Sequence, residues 1–186
     1  MKRFPSHRVT LAVLALSALL LCAGRTPATT EISGTISTTL TIFEDSALAG
    51  DVTCTVQLTV PGANPCISFG ADHVKLRLNG HTITGPVTPP TGCSLPTDAM
   101  YGVGIEAIDR TDVKIEGPGI IQHFERWGIL IGLTGHPSSE VTVKKVTAYH
   151  NCWSGMQTVS TSDSIFEQNV FADDAGGSNG ASCGGT

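Results

Sequence analysis

Residues 74–85 read VKLRLNGHTITG. Val74, Leu76 and Leu78 alternate with polar neighbours, and a period of two predicts a strand with one buried face. Asn79-Gly80 interrupts it with turn chemistry, and a second short strand, His81 to Thr84, runs on to Gly85. The same stop-and-restart pattern recurs along the chain. EISGTISTTLTIF alternates through Ile32, Ile36, Leu40 and Ile42, and VTCTVQLTV through Val52, Cys54, Val56, Leu58 and Val60. DVKIEGPGIIQHF, EVTVKKVTAYHN and DSIFEQNVFADD follow. No apolar stretch of period 3.6 exceeds two turns, so little helix is expected.

Aligned on their opening strands, Val74-Lys75-Leu76, Val113-Lys114-Ile115, Val141-Thr142-Val143 and Ser164-Ile165-Phe166 correspond. Between them a second unit recurs at Gly104-Ile105, Gly128-Ile129 and Gly155-Met156, with steps of 24 and 27 residues. The strand starts at Val113, Val141 and Ser164 are 28 and 23 residues apart, and the 39 residues from Val74 to Val113 contain a loop-like insertion, PVTPPTGCSLPTD. A drifting period of about 25 with several short strands per repeat predicts an all-β solenoid. One repeat cannot hide its own Val, Ile and Leu. Stacked repeats, with strands paired in parallel about 4.8 Å apart, bury them in continuous columns. In that reading the strand stops at Asn79-Gly80 because the coil turns there, and Gly and Asn adopt such turns at low cost. A β-sandwich is the competing arrangement, with Asn79-Gly80 as a two-residue hairpin, but a hairpin does not account for the period or the Gly-Ile unit.

The first residues stand apart from this pattern. Lys2, Arg3 and Arg8 precede an almost unbroken apolar run over residues 9–22, the length of a secretory h-region and short for a membrane span. Residues 1–28 are therefore expected to be a signal peptide, cleaved after Gly24 or Ala28, which makes the protein secreted or envelope-associated. An N-terminal membrane anchor is the alternative. Lipid attachment at Cys22 is disfavoured by the bulky Leu21 before it. The chain carries 11 Lys+Arg and 16 Asp+Glu. Four of the basic residues lie before Ala28, so seven basic residues face sixteen acidic ones in the mature part, a net of −9. Such a balance argues against nucleic acid as a partner. A local basic site from Lys75, Arg77, Lys114, Arg126, Lys144 and Lys145 on the repeated strands stays open.

Export implies that cysteines pair. Cys54 and Cys66 bracket TVQLTVPGANP, whose Pro-Gly and Asn-Pro steps fold back, so a Cys54–Cys66 disulfide is expected. Cys152 and Cys183, about one repeat apart, are the second candidate pair, which leaves Cys93 without an assigned partner.

LRLNGHTITG, VKIEGPGIIQHF followed by a Gly-Ile step, and VTVKKVTAYHNCWSG resemble exported bacterial right-handed parallel β-helix proteins of the pectin-lyase-like superfamily. The resemblance covers roughly residues 51–174. It implies a triangular coil of parallel sheets with a groove along one sheet for long carbohydrate chains, hence a polysaccharide partner. Residues 29–50 would form an N-terminal strand and cap region, 51–174 the coils, and 175–186 a Gly-rich end or the start of a further coil. Polygalacturonase-like hydrolases of this superfamily carry an Asn-Thr-Asp stretch, an Asp-Asp pair, a Gly-His-Gly and an Arg-Ile-Lys; here only Asp173-Asp174 matches.

Paired carboxylates suit general acid–base work, so Asp173 and Asp174 are catalytic candidates, against a reading of FADDAGGSNG as a solvated turn. His150 beside Trp153 is a third candidate, since rings stack on sugar faces. The alternative makes Trp153 an inward residue closing the coil. Pectate-lyase-like enzymes hold Ca2+ with acids on adjacent coils. Glu167, Asp173 and Asp174 would have to converge for that, yet the preceding repeat reads AYHNCWSG and offers no matching acids. No cofactor is expected, and no metal, because the histidines lack ligand spacing. Asn79, Asn151 and Asn169 are expected to stack as an amide ladder at one corner.

Two functions follow from these readings. One is a carbohydrate-binding or carbohydrate-active β-helix, as polysaccharide lyase or glycoside hydrolase. The other is a non-catalytic structural or adhesin-like solenoid. SNGASCGGT offers no amphipathic cap, so truncation at the C-terminus is expected, with edge-to-edge self-association of the uncapped end.

Overall fold

A computed structural model describes residues 29–56, 64–87, 102–172 and 174. The expected signal peptide, Cys93, Asp173, Cys183, all but the first two residues of the insertion PVTPPTGCSLPTD and the Gly-rich end fall outside these residues. Every described element is a strand. In chain order they are β1 (Thr30–Ile36), β2 (Leu40–Ile42), β3 (Ser46–Cys54), β4 (Pro65–Phe69), β5 (Lys75–Arg77), β6 (Thr82–Thr84), β7 (Val103–Ala107) and β8 (Lys114–Gln122). Then follow β9 (Trp127–Ile131), β10 (Ser138–Ser139), β11 (Thr142–Tyr149), β12 (Ser154–Thr158), β13 (Thr161–Ser162), β14 (Ile165–Glu167) and β15 (Val170–Ala172).

The chain passes back and forth between sheets rather than folding into hairpins. One sheet runs β1-β3-β5-β8-β11-β14, with β6 beside β3 and β8 and β15 beside β11. A five-stranded sheet runs β12-β9-β7-β4-β2, and β10 pairs with β13. All of these pairings are parallel. The register matches the repeat alignment. Leu76 lies beside Ile115, Ile115 beside Val143 and Val143 beside Phe166. Ile105 lies beside Ile129 and Ile129 beside Met156. Pairing starts at β1, and β3 runs unbroken through residue 50, so the same parallel ladder reaches into the segment expected to be an N-terminal cap.

The alternation places Val74, Leu76, Val113, Ile115, Val141 and Val143 in one core, each at most 3% exposed. The strand breaks have a shared backbone cause. His73, Asp112, Glu140 and Asp163, each just before an opening strand, have φ of 51° to 59°. Asn79, Lys145 and Gln168 repeat this in mid-repeat at 50° to 57°, and His123 and His150 at 64° and 52°. A single left-handed residue bends a strand without ending the ladder and resets which side chains face inward. Val143 and Val146 are both buried because Lys145 intervenes, at a register shift between Lys144 and Val146.

Two expectations change here. Asn79-Gly80 does not turn the chain from one sheet to another, nor is it the competing hairpin: β5 and β6 both pair with β3 and β8, so the bend sits inside one sheet. The asparagines form no common ladder. Asn79 and Asn169 occupy the mid-repeat bend of rows separated by β8 and β11, whereas Asn151 follows β11 at a different bend. Each instead bonds the backbone of a neighbouring row: Asn79 Nδ2 donates to the Leu48 carbonyl at 3.0 Å and Asn169 Nδ2 to the Val143 carbonyl at 2.9 Å.

The glycine of the Gly-Ile unit is explained by row spacing. A Cβ at Gly128 would lie 2.6 Å from the Gly155 carbonyl oxygen, and one at Gly104 would collide with the Gly128 carbonyl. Only glycine lets these rows approach so closely.

Candidate functional site

The outer face of the large sheet carries alternating charges. Lys75 approaches Glu116 at 3.6 Å, Arg77 lies 3.8 Å from Glu116 and 4.0 Å from Asp45, Lys114 pairs with Asp112 at 3.1 Å and Lys144 with Glu167 at 2.5 Å. These basic residues therefore form no uncompensated positive patch. Asp112 is held below the usual carboxylate range by its hydrogen bonds with His73 and Lys114. Arg126 is elsewhere, between Trp127 and Trp153.

Beyond the mid-repeat bend the same face becomes uncharged on β6, β8 and β11, while Asp51 of β3 stands at its edge, accepting the Thr82 backbone N–H at 2.9 Å. Thr84, Gln122 and Tyr149 lie side by side on successive rows, as do Thr82, Ile120 and Thr147. Gln122 Nε2 donates to Thr84 Oγ1 at 3.3 Å. At the end of this strip the His123 and His150 rings stack, 6.2 Å apart and 22° from parallel, and Tyr149 meets His150 edge-on at 4.5 Å. Burial, with help from His150, lowers the His123 pKa. Parallel register brings the row together: residues 38 or 27 apart in sequence become neighbours, half-buried and facing out.

The catalytic candidates separate. His150 is exposed at the strip's end. Asp174 is half-buried: its Oδ1 accepts the Asn151 backbone N–H at 2.9 Å and the Asn151 side-chain amide at 3.4 Å. Burial raises its pKa against those bonds. Asp174 thus holds a neighbouring row, rather than standing in a solvated turn. Glu167 is engaged with Lys144, and β15 lies between it and Asp174, so these two acids do not converge as the Ca2+ arrangement needs. Among the described residues no group of three or more His, Cys, Asp and Glu comes together as a metal site.

Trp153 is not an inward residue closing the coil. It packs against Trp127, 6.0 Å away and edge-on, in a small cluster with Val103 and Leu130 apart from the main core. The Arg126 guanidinium sits 4.5 Å from the Trp127 ring centre and 4.1 Å from that of Trp153. Cation–π contact of this kind occupies ring faces that a sugar would otherwise use.

The outer face of the five-stranded sheet holds a residue that sequence reasoning missed, Glu106. It lies between Ser68 and Leu130 on adjacent strands. Burial pushes its carboxyl up from 4.5 to about 7, against opposing effects of the Ser68 hydroxyl and Arg110. The available signal was one acid inside the apolar run GVGIEAI.

Cys54 and Cys66 form a disulfide with Cα atoms 5.9 Å apart, as the turn-rich loop suggested. Cys152 is disulfide-bonded as well; its expected partner, Cys183, is outside the described residues. No family model matches this chain, and neither a curated protein nor a solved structure matches it.

Proposed function

We propose that the chain is an exported right-handed parallel β-helix that binds polysaccharide along the uncharged strip of its large sheet. The observation that carries this reading is the row Thr84, Gln122 and Tyr149 ending at the His123 and His150 rings. Strand rows recur about every 4.8 Å, so hydroxyl, amide and ring groups repeat along the stacking direction, as an extended sugar chain requires. The rings offer faces for pyranose stacking, while Thr and Gln supply hydrogen bonds. The period of the sequence and the alternate passage between parallel sheets support the β-helix.

The test is binding of the mature chain to a panel of uronate polymers and neutral glucans, with and without Ca2+, with chain cleavage followed in the same reactions. At least one polymer is expected to bind. Tyr149→Ala should weaken that binding about tenfold, the equivalent of roughly 1.4 kcal/mol, with the fold unchanged by circular dichroism. Failure to bind any polymer, or full binding by the variant, overturns the reading.

A structural, self-associating solenoid is the second reading, favoured by the exposed apolar residues of the last described row. Ile165 is 55% exposed, Val170 54%, Phe171 40% and Phe166 39%. A second copy of the chain pairing along this row would bury them. Sedimentation velocity is expected to show concentration-dependent association that Phe166→Ser combined with Phe171→Ser abolishes. A sharp monomer of the unsubstituted chain over a wide concentration range excludes this reading.

A further inference from the structure

Glu106 occupies a position that a carboxylate tolerates poorly. It is on the outer side of β7, with Ser68 of β4 on one flank and Leu130 of β9, fully buried, on the other. Its Oε1 accepts the Ser68 hydroxyl at 3.3 Å. Its Oε2 is buried without a hydrogen-bond partner. Arg110, in the turn after β7, is the charged described residue that acts on it. That guanidinium is committed elsewhere, donating through Nε to the Phe69 carbonyl at 2.7 Å and through a terminal nitrogen to the Asp109 carbonyl at 2.9 Å. One hydroxyl and a cation hydrogen-bonded elsewhere do not replace the water that a buried carboxylate loses.

We propose that Glu106 is a proton-controlled latch on the outer face of the five-stranded sheet: protonated, it keeps β4, β7 and β9 closed, and ionised, it drives them to open locally. This role is independent of the polysaccharide strip, which lies on the other sheet. The direction follows from linkage. The folded chain holds the proton up to about pH 7, whereas the unfolded chain releases it near 4.5. The stabilisation is therefore fully present below 4.5 and is lost as pH rises toward 7.

Between pH 5 and pH 8 the folding equilibrium constant should fall roughly 70-fold through this group. Three measurements test the latch. A carboxyl-carbon NMR titration should place Glu106 near pH 7. Denaturant unfolding at pH 5 and pH 8 should show the fall in the unsubstituted chain and in Glu116→Gln, and its loss in Glu106→Gln. Hydrogen exchange, corrected for intrinsic rates, should show protection lost at pH 8 in β4, β7 and β9 while β11 keeps it. A titration midpoint near 4.5, an unchanged pH slope in Glu106→Gln, or uniform loss of protection overturns the proposal. Should Glu106→Gln fail to fold, the titration and exchange of the unsubstituted chain decide alone.

Discussion

Val141→Asp is expected to destabilise the chain severely. Val141 is fully buried in the main core, and its backbone N–H already donates to Ser164 Oγ at 3.0 Å, which fixes it one row from the neighbouring strand. It opens the repeat that begins with β11, between the repeats opened by Val113 and Ser164. A carboxylate there would sit in the main core, between Val113 of the preceding row and Ser164 of the following one. Protonation would spare the charge but still bury an unpaired polar group. The cost should exceed about 4 kcal/mol, the range of the most damaging single substitutions, against a total stability of about 5–15 kcal/mol for a typical domain. Thr142→Asp is the matched control, because Thr142 is half-buried and faces outward one residue away; it should cost less than about 1 kcal/mol. Circular dichroism and urea unfolding of both variants measure the difference. A folded Val141→Asp chain with near-normal stability would mean that the column does not pack as one core.

The pairs of alternating apolar residues made that core legible. Period two along each strand, combined with a repeat of about 25, is enough to align Leu76, Ile115 and Val143 from the sequence. The bends were legible only as breaks. Asn79-Gly80 advertises a turn, but Lys145, Gln168 and Glu140 adopt the same left-handed conformation without a sequence signal, held there by the rows on either side. This is why an asparagine ladder was a poor expectation: the bend selects a backbone conformation, and several residue types fill it.

The outer faces were less legible, for a different reason. Whether Lys75, Lys114 and Lys144 make a basic site depends on what stands one row away, and Glu116, Asp112 and Glu167 stand there. Thr84, Gln122 and Tyr149 are ordinary singly and become a strip only through register. Glu106 carries no mark of its own in the sequence, because its chemistry comes from Leu130 and Ser68, which lie 24 and 38 residues away in the chain. Size alone assigns Trp153 to the core, but Arg126 and Trp127 supply partners outside it. Drift in the period, from 23 to 39 residues, is what hides these neighbours, since a fixed offset does not find them.

Asn151→Leu should destabilise the chain by about 3 kcal/mol, the largest effect expected from a polar side chain. Asn151 is fully buried at the bend after β11. Its Oδ1 accepts the Phe124 N–H of the preceding row at 3.1 Å, and its Nδ2 donates to the Tyr149 carbonyl at 3.2 Å and lies 3.5 Å from the Ile121 carbonyl. Its own backbone N–H reaches Asp174 in the following row. One amide therefore ties together rows whose strands are already bent away from ladder geometry. Leucine keeps the branching at Cγ but has no hydrogen-bonding group and is larger, so lost hydrogen bonds and crowding act in the same direction. It strands a buried N–H at Phe124 and at least one carbonyl, each costing about 1–3 kcal/mol when unsatisfied, partly offset by the added apolar burial. Asn151→Asp tests the same point from the other side. Its oxygens can still accept from Phe124, but they face two carbonyls and Asp174, so the loss should be at least as large and should diminish at acid pH as the carboxyl gains a proton to donate. Urea unfolding at about pH 4.5 and about pH 7, either side of the range in which a buried carboxyl titrates, measures both variants. Unchanged stability in the Asn151→Leu chain would show that water enters this bend and satisfies the backbone without the amide.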